Sequence, residues 1–565
     1  MEKIKSFFYP MNKDKAFKIG TVAVAAVGII YAIVFFILNC FDTSKTKFYN
    51  GYFAVILIAM IALTIYLLRF LLTDKQWSYS RVFVVLAIGW SVCIQLVMPP
   101  FSGPDEEHQY YSAYHCANIF LGIKDHDFDT TPGSYGNWIE GTSYFEMRAE
   151  DYYKAPWIDI TFPYQYQLLA DGNWFHTDAD MKEMVQCFIK PTQARRYLLS
   201  GLGIAIARKL GFGLAGVIFM GRFMNSLSLI LGGLLCIKLL PVGKLQLINF
   251  CLLPTILNLF GSYSYDNMSI MFSCLLLAVC LNLSQEKAKL HAWHLYLIAL
   301  LALMLVPNKM VYALFIGWFF VIPLKKWGTD VIKSKKWYEY ALLGVFLAGA
   351  AVALKKMVPK YRYILYDWFI LHHNHPNIPQ DSTREAYKWV DFLDNPGATL
   401  KFAWEGVKKD FWYNIKHIIG NEFGHTGFFQ FSNGKMIPMA CVIILLAVLI
   451  VGLIINKGNR LKKWQYVVVG LVLLVCLAAI FAGCLVKFTA VDSERIQISF
   501  RYLIPLYMCL CIALGSDAKE NKRAMSLIFI QNVVLIFAMC SVLYFLFHLR
   551  DGLGVPEILI PLGFQ

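Results

Sequence analysis

The sequence predicts an all-α integral membrane protein with about thirteen transmembrane helices and two large outer loops. Its 565 residues are 58% hydrophobic and 16% aromatic, with a mean hydropathy of +0.53, which excludes an ordinary soluble protein. Apolar segments near the ~20 residues needed to cross a bilayer recur along the chain. The predicted spans cover residues 18–40, 52–73, 82–99, 213–240, 245–262, 265–283, 293–307, 309–324, 338–357, 436–456, 464–487, 500–515 and 526–548.

The distribution of lysine and arginine predicts the orientation of these spans. With the N-terminus in the cytoplasm, the segments assigned to that side hold 23 basic and 7 acidic residues. The predicted outer loop 101–196 has the opposite balance, with 15 acidic and 7 basic residues. This asymmetry follows the positive-inside rule for a multi-pass protein of the cytoplasmic membrane. The net charge of +15 therefore reflects membrane topology and the anionic inner leaflet, and we expect membrane lipids and no nucleic acid as partners.

The spans and loops divide the chain into four regions. Residues 1–81 form an N-terminal two-helix membrane hairpin, and residues 82–357 form a membrane module that includes the outer loop 101–196. A second outer loop covers residues 358–435, and residues 436–565 supply the C-terminal membrane helices. The first span follows a basic tail and lacks a small-residue cleavage site, so we expect a retained anchor instead of a signal peptide.

The fourteen cysteines and the glycines show no familiar cofactor motif. The cysteines are scattered through the spans without metal-ligand spacing, and most suit the role of small apolar fillers. Cys116 and Cys187 share the first outer loop and can pair there, a question that the sequence leaves open. Neither a dinucleotide-binding nor a P-loop glycine pattern is present, so the sequence predicts no nucleotide-binding cassette.

An acidic stretch follows the third span, within residues 98–121. Prolines at 99, 100 and 104 prevent the helix from continuing, and Asp105 stands where a new helix would begin. Glu106 and Glu107 fall in the first turn of that helix, where the helix dipole favours acids. The pattern predicts a functional carboxylate cluster just outside the hydrocarbon. The alternative is a capped interfacial helix with solvated acids.

Two helices of the first outer loop are predicted to lie in the membrane interface. Apolar and tyrosine positions recur at helical spacing between residues 105 and 121, and a second helix is predicted from Ala194 to Leu210, ending at Gly211. Many tyrosines and tryptophans lie between them. Aromatic faces near carboxylates suit sugar rings, but an interfacial aromatic belt explains such residues equally well.

Four ionisable residues occur at or near membrane depth on the predicted outer side: Arg222, Asp266, Lys309 and Arg501. Charged groups at this depth usually face the interior of the bundle and mark a functional site, because each is unfavourable when it faces lipid. A structural ion pair, for instance between Asp266 and Lys309, is the simpler alternative.

Several short motifs together resemble a family of bacterial polytopic membrane proteins, the domain of unknown function 2142 (DUF2142), which is grouped with the GT-C membrane glycosyltransferases. The resemblance covers roughly residues 82–515, with Phe500 where the family usually has glycine. The motifs are Pro-Pro-Phe-x-Gly-Pro-Asp-Glu-x-His, Gly221-Arg222, Ser264-Tyr265-Asp266, Lys309-Met310-Val311-Tyr312 and Arg501-Tyr502-Leu503-Ile504-Pro505.

The resemblance implies a GT-C-like enzyme that transfers a sugar from a polyprenyl-phosphate donor to an envelope glycan, lipid or protein on the outer membrane face. GT-C enzymes place an Asp or an Asp-Glu pair in the first long outer loop, which corresponds to Asp105 and Glu106 as catalytic residues. The remaining motif residues are candidates for binding the substrate or its phosphate: Arg222, Asp266, Lys309, Tyr312, Arg501 and Tyr502.

The chemistry of these residue types fits such a reaction. A carboxylate, preferably Asp105, takes the acceptor proton, and nearby cations stabilise the phosphate that leaves. A divalent ion, Mg²⁺ or Mn²⁺, held by Asp105, Glu106 and His108 can serve instead of or beside the cations. A transporter or flippase for a lipid-linked glycan and a non-catalytic partner of an envelope polysaccharide synthase are the alternatives.

Overall fold

The computed structural model describes residues 13–73, 75–98, 106–122, 196–306, 308–327, 337, 395–420, 437–455, 458–489, 496, 498–517 and 520–548. These residues form helices joined by turns and contain no β-strand, which confirms the predicted all-α fold class.

Ten α-helices make up the first part of the described chain. Capping side chains explain where some begin: Thr46 accepts a hydrogen bond from the Tyr49 N–H, and Ser78 accepts one from the Arg81 N–H. The helices are α1 (Lys13–Asn39), α2 (Lys47–Leu72), α3 (Tyr79–Val97), α4 (Glu106–Leu121), α5 (Leu198–Lys209), α6 (Leu214–Leu239), α7 (Lys244–Cys251), α8 (Pro254–Phe260), α9 (Asp266–Ser284) and α10 (Ala292–Leu305).

The rest of the described chain adds five α-helices and three segments of 3₁₀ helix. The α-helices are α11 (Pro396–Ile419), α12 (Met439–Ile455), α13 (Lys463–Phe488), α14 (Ile504–Leu514) and α15 (Lys522–His548). The 3₁₀ segments are Met310–Val321, Leu324–Lys326 and Phe500–Tyr502.

The predicted spans correspond closely to the described helices. Seven described helices (α1, α2, α3, α6, α9, α13 and α15) are long and apolar enough to cross a bilayer. Four shorter apolar helices match four further spans: α10, Met310–Val321, α12 and α14. The predicted span 338–357 lies outside the described residues.

Three predicted segments have a different local structure from the one expected. The predicted continuous span 245–262 is two short helices, α7 and α8, because Pro254 cannot donate the hydrogen bond that would continue α7. The predicted span 309–324 is largely a 3₁₀ helix of twelve residues. The predicted outer loop 358–435 contains the 24-residue helix α11, which begins with Pro396 in its first turn.

Side-chain contacts define two ends of the helix bundle. At one end, Lys326 donates hydrogen bonds to the carbonyls of Leu283 and Ala288, at 2.9 and 2.8 Å, and thereby satisfies acceptors at the C-terminus of α9. We call the other end the site end. It contains Met98, the residue that follows α3, together with the turn before α9 and the turn that contains Lys309.

A small second core lies at the site end, and we call this part the cap. It consists of α4, α5 and the first two turns of α6, packed around Tyr110, Tyr114 and Tyr263. Arg222, eight residues into α6, bonds to the carbonyl of Met98 just after α3. The first turns of α6 therefore extend about 12 Å beyond the end of α3. The helix α6 belongs both to the bundle and to the cap.

Candidate functional site

Close packing of α4 on α5 holds the cap together. A Cβ atom at Gly201 would lie 2.7 Å from Cys116 Cβ and 2.9 Å from the carbonyl oxygen of Ala113, so only glycine fits there. Arg208 donates a 2.6 Å hydrogen bond to Asn118 Oδ1 and lies 4.4 Å from the centre of the Tyr114 ring. Helix α4 agrees with the first predicted helix to within one residue, and α5 lies within the second, which was predicted from Ala194 to Leu210.

A buried ion pair joins the cap to the bundle. The Nε of Arg222 lies 3.2 Å from Glu106 Oε1, and the two residues are 2% and 1% exposed. Arg222 also donates to the carbonyls of Gly261, at 2.5 Å, and Met98, at 2.9 Å. Glu106 Oε1 accepts the backbone N–H of Tyr263 at 3.2 Å. Both charges are thus bonded to protein groups that connect α3, α6 and the turn before α9.

Hydrogen bonds to α6 and α4 hold the turn between α8 and α9 in place. Asn225 donates to the carbonyls of Ser262 and Ser264, at 2.6 and 3.1 Å. Tyr263 Oη donates to the Ile218 carbonyl at 2.8 Å, and the Tyr265 N–H donates to Gln109 Oε1 at 3.2 Å. Because the turn is bonded to both α6 and α4, it places the first residue of α9, Asp266, in a defined position.

Asp266 lies between two cations that come from distant parts of the chain. Lys309 Nζ is 2.5 Å from Asp266 Oδ1, and Arg501 Nη1 is 3.6 Å from Asp266 Oδ2. The side chain of Asp266 is only 4% exposed, whereas those of Lys309 and Arg501 are 16% and 15% exposed. The carboxylate is therefore enclosed, and part of each cation faces away from the protein interior.

Tyrosines surround these charges and hold Lys309 in place. Lys309 Nζ lies 3.8 Å from the centre of the Tyr502 ring and 5.7 Å from that of Tyr265. Tyr312 Oη donates to the Tyr502 carbonyl at 2.9 Å and so links the Met310–Val321 helix to the segment before α14. Lys309 itself lies in the turn after α10, and burial lowers the pKa of its ammonium group.

The sequence alone did not single out Arg196, although the structure places it in the same cluster. Its guanidinium carbon lies 5.2 Å from the centre of the Tyr265 ring, and it acts electrostatically on Asp266. The Arg196 Nε is buried and has no hydrogen-bond partner among the described residues. The paired arginines at 195 and 196, in the first turn of the helix predicted from Ala194 to Leu210, were the available signal.

The structure thus separates the predicted site residues into two groups. Glu106 and Arg222 form the buried pair between the cap and the bundle. Asp266, Lys309, Tyr312, Arg501 and Tyr502 form the charged cluster at the site end, together with Arg196 and Tyr265. Asp105 and the side chain of His108 lie outside the described residues, although Asp105 directly precedes Glu106 in the chain.

The described part of the chain contains no group of three histidine, cysteine or acidic residues arranged to hold a metal ion. Of the three predicted metal ligands, only Glu106 has a described side chain, and a guanidinium already occupies its Oε1. A carboxylate paired in this way does not fit the ligand role. What the cluster around Asp266 can do instead is bind an anion, because arginine and lysine donors near a partly exposed surface recognise phosphate oxygens well.

Comparison with known proteins gives one match. The model of a family described as "Predicted membrane protein (DUF2142)" matches residues 86–510, about three quarters of the chain. All the residues of the buried pair and of the charged cluster fall inside this range. No curated protein and no solved structure matches the chain.

Proposed function

The chain belongs to the DUF2142 family of predicted membrane proteins, and on this basis we propose that it is a membrane glycosyltransferase. The donor is a sugar carried on a polyprenyl phosphate. The acceptor is a glycan, lipid or protein of the cell envelope, and transfer takes place on the outer face of a bacterial cytoplasmic membrane. The resemblance to GT-C enzymes, noted above from the sequence motifs, supports the reaction class.

The cluster around Asp266 carries this proposal. Three basic side chains and two tyrosine rings meet at one end of a membrane bundle, beside the helix that begins at Glu106. A lipid-linked phosphate has its charged group at the membrane surface and its chain in the bilayer. A cationic cluster at the end of a membrane bundle suits such a molecule. Tyrosine rings in the cluster also suit the apolar faces of a sugar.

The proposed reaction uses one base and a set of cations. Asp105 takes the proton of the acceptor hydroxyl while the oxygen of that hydroxyl forms a bond to the anomeric carbon of the sugar. The bond from the anomeric carbon to the phosphate oxygen breaks, and the electron pair stays on that oxygen. Lys309 and Arg501 lie where they can stabilise the leaving phosphate. No step of the proposed mechanism involves a metal ion, because the described carboxylate of Glu106 is paired with Arg222.

The other residues of the site have supporting roles in this mechanism. Asp266 holds Lys309 and Arg501 side by side, and Tyr312 positions the Tyr502 segment through its carbonyl. Glu106 and Arg222 hold the start of α4 against the turn that precedes Asp266. We assign them a positioning role instead of direct contact with substrate, since both are almost fully buried.

The test is the variant Asp105→Asn, compared with wild type, a deletion strain and Glu107→Gln as the matched control. We expect the deletion and Asp105→Asn to lose the same sugar from the cell envelope. The rate should fall about 100-fold or more because a general base contributes at least that much. Glu107→Gln should retain transfer. The measurement is glycan analysis of envelope material, with immunoblots to confirm equal amounts of protein in the membrane.

Full transfer by Asp105→Asn would reject the proposal and favour a transporter. One observation supports that second function: α7 and α8 form a broken helix in the bundle, and both side-chain polar atoms of Asn249 are buried without a partner among the described residues. Broken helices with free polar groups line substrate sites in many transporters. Translocation of a sugar lipid across liposomes without covalent transfer would establish that function.

A further inference from the structure

Helix α11 differs from the other long helices of the described chain because it combines charged and aromatic residues. It is 24 residues long, yet it is not among the seven described helices that are apolar enough to cross a bilayer. Its sequence contains four lysines and two acids. A helix of this length and composition belongs at a surface instead of inside the hydrocarbon.

One face of α11 is attached to the site end of the bundle. Near the end of α11, the carbonyl of His417 accepts a 2.6 Å hydrogen bond from Thr255 Oγ1 of α8. Thr399, Asn414 and His417 are buried on this face. The helix also contacts the Phe500–Tyr502 segment, which contains two residues of the charged cluster. The helix α11 is therefore held beside that cluster.

The opposite face of α11 exposes an apolar strip. It consists of Leu400, Trp404 and Phe411, whose exposed fractions are 61%, 58% and 52%. Spacings of four and seven residues place these side chains in one row along the helix. Large apolar side chains grouped on one exposed face mark a surface that a membrane or a partner covers.

Lysines lie beside this strip. Lys401 and Lys408, seven residues apart, are both exposed, and Lys408 Nζ is 5.5 Å from the centre of the Trp404 ring. The aliphatic part of such a lysine covers apolar surface while its ammonium group reaches outward. An apolar strip flanked by lysines is typical of a helix in the membrane interface, with its aromatic rings at the acyl boundary and its lysines among the headgroups.

Acidic residues near α11 leave these lysines unpaired. The acids in the helix or shortly before it are Asp391, Asp394, Glu405 and Asp410. Neither Lys401 nor Lys408 forms an ion pair with a residue of the described chain, and Glu405 forms none there either. Lys408 also stands twelve residues after the first residue of α11, ~18 Å along the helix from the acids that precede it. Its ammonium group is therefore available for a phosphate.

We propose that α11 is a lipid-binding helix at the membrane surface of the site end, where Trp404 lies at the acyl boundary and Lys408 binds the phosphate groups of anionic phospholipids. The molecule that covers the apolar strip is thus the bilayer. This inference goes beyond the proposed function, because it holds equally for a transferase, a transporter or a non-catalytic protein. It places a surface that concentrates anionic lipids next to the charged cluster.

Photocrosslinking tests what covers the strip. The probe is p-benzoylphenylalanine in place of Trp404, in the whole chain reconstituted into nanodiscs of equimolar phosphatidylcholine and phosphatidylglycerol. Mass spectrometry of the α11 peptide identifies the adducts. We expect a lipid yield within about 3-fold of that from the same probe at Ile443, a 54% exposed position of the membrane helix α12. The probe at Ala398, exposed on the side of α11 that carries Lys409, should give about 5-fold less.

A lysine substitution tests the preference for anionic lipid. With the probe at residue 404, we expect about three phosphatidylglycerol adducts for each phosphatidylcholine adduct, because one lysine near the surface favours acidic lipids by a factor of this order. Lys408→Gln should bring the ratio close to one. Lys409→Gln is the matched control, since it removes an equal charge from the next residue, which points about 140° away from Trp404 around the helix, and the ratio should stay near three.

Crosslinks from residue 404 to another segment of the chain or to a second copy, in place of lipid, would overturn the inference. So would equal capture of the two lipids without a lysine substitution, or equal effects of Lys408→Gln and Lys409→Gln. The substituted side chains are all exposed, so the midpoints of thermal unfolding should stay within about 2 °C of wild type. None of these measurements involves sugar transfer, and their failure would leave the Asp105→Asn test unaffected.

Discussion

At the level of single residues, Arg222 and Arg501 have different roles because different groups surround them. Arg222 has three backbone carbonyls, those of Gln95, Met98 and Gly261, and the carboxylate of Glu106 around it, and it is almost completely buried. Arg501 contacts the carboxylate of Asp266, which Lys309 also contacts, and its side chain is 15% exposed. Burial thus separates the enclosed, structural Arg222 from Arg501, whose partly exposed guanidinium can reach a ligand.

Removal of Arg222 should therefore destabilise the fold much more than removal of Arg501. Arg222→Leu leaves Glu106 and three carbonyls without this buried donor, a change that typically reduces stability by about 3 to 5 kcal/mol. We expect a clearly lower midpoint of thermal unfolding in detergent for Arg222→Leu, while Arg501→Leu stays near wild type because Lys309 still neutralises Asp266. Equal midpoints for the two variants would contradict the structural role of Arg222.

Among the structural elements, the cap determines where the cationic cluster is completed. Helix α5 begins two residues after Arg196, and α4 begins at Glu106, so the packing of these two helices positions both sides of the site. Their contact depends on the absence of a side chain at Gly201. Loosening this contact should disturb the cap while leaving the membrane helices in place, because the cap has its own small core.

Gly201→Val tests this contact directly. Its side chain cannot fit beside Cys116 and the Ala113 carbonyl, so α4 and α5 should separate and expose Cys116, which is 2% exposed in the native structure. We expect the labelled fraction of Cys116 to rise several-fold after maleimide treatment, as measured by peptide mass spectrometry. Gly470→Ala is the control, because no atom lies within 4 Å of a Cβ at that position. Unchanged labelling of Cys116 would mean that the cap tolerates the larger residue.

At the scale of the whole molecule, helices from both ends of the chain pack together. α1, α2 and α15 lie outside the family match at 86–510, and they contact one another. A buried hydrogen-bond chain connects α2 and α15 to α3: Trp90 Nε1 donates to Asn532 Oδ1 at 2.9 Å, and Asn532 Nδ2 donates to Thr64 Oγ1 at 3.0 Å. In a membrane such polar contacts hold helices together because the bilayer offers no competing partners.

Asn532→Leu should weaken the attachment of these terminal helices. The substitution removes two hydrogen bonds and leaves the Trp90 Nε1 without its acceptor. Interhelical hydrogen bonds in membranes contribute about 0.6 kcal/mol each on average, so we expect a loss of about 1 to 2 kcal/mol. The midpoint of thermal unfolding should fall, while Ser526→Ala, at a partly buried position of the same helix whose hydroxyl bonds only within that helix, should not change it. Identical midpoints would show that apolar packing alone attaches α15.

Much of the fold was predictable because each membrane helix is encoded locally. The length and hydropathy of the apolar segments located the eleven described apolar helices, and helical spacing and Gly211 located α4 and the end of α5. The structural ion pair between Asp266 and Lys309, which the sequence offered as the alternative to a functional site, is present, while the functional role of these residues stays a prediction. The break between α7 and α8 was signalled by Pro254, although the hydropathy of the whole segment concealed it.

By itself, therefore, the sequence determined that this protein is an all-α membrane protein, where most of its apolar helices lie and which ionisable residues border them, since these properties depend on neighbouring residues. Only the tertiary structure decided how those charges are paired. Arg222 pairs with Glu106, whereas Asp266 pairs with Lys309 and Arg501, residues 43 and 235 positions away in the chain. Such pairings depend on which helices become neighbours in the bundle, and no local pattern specifies that.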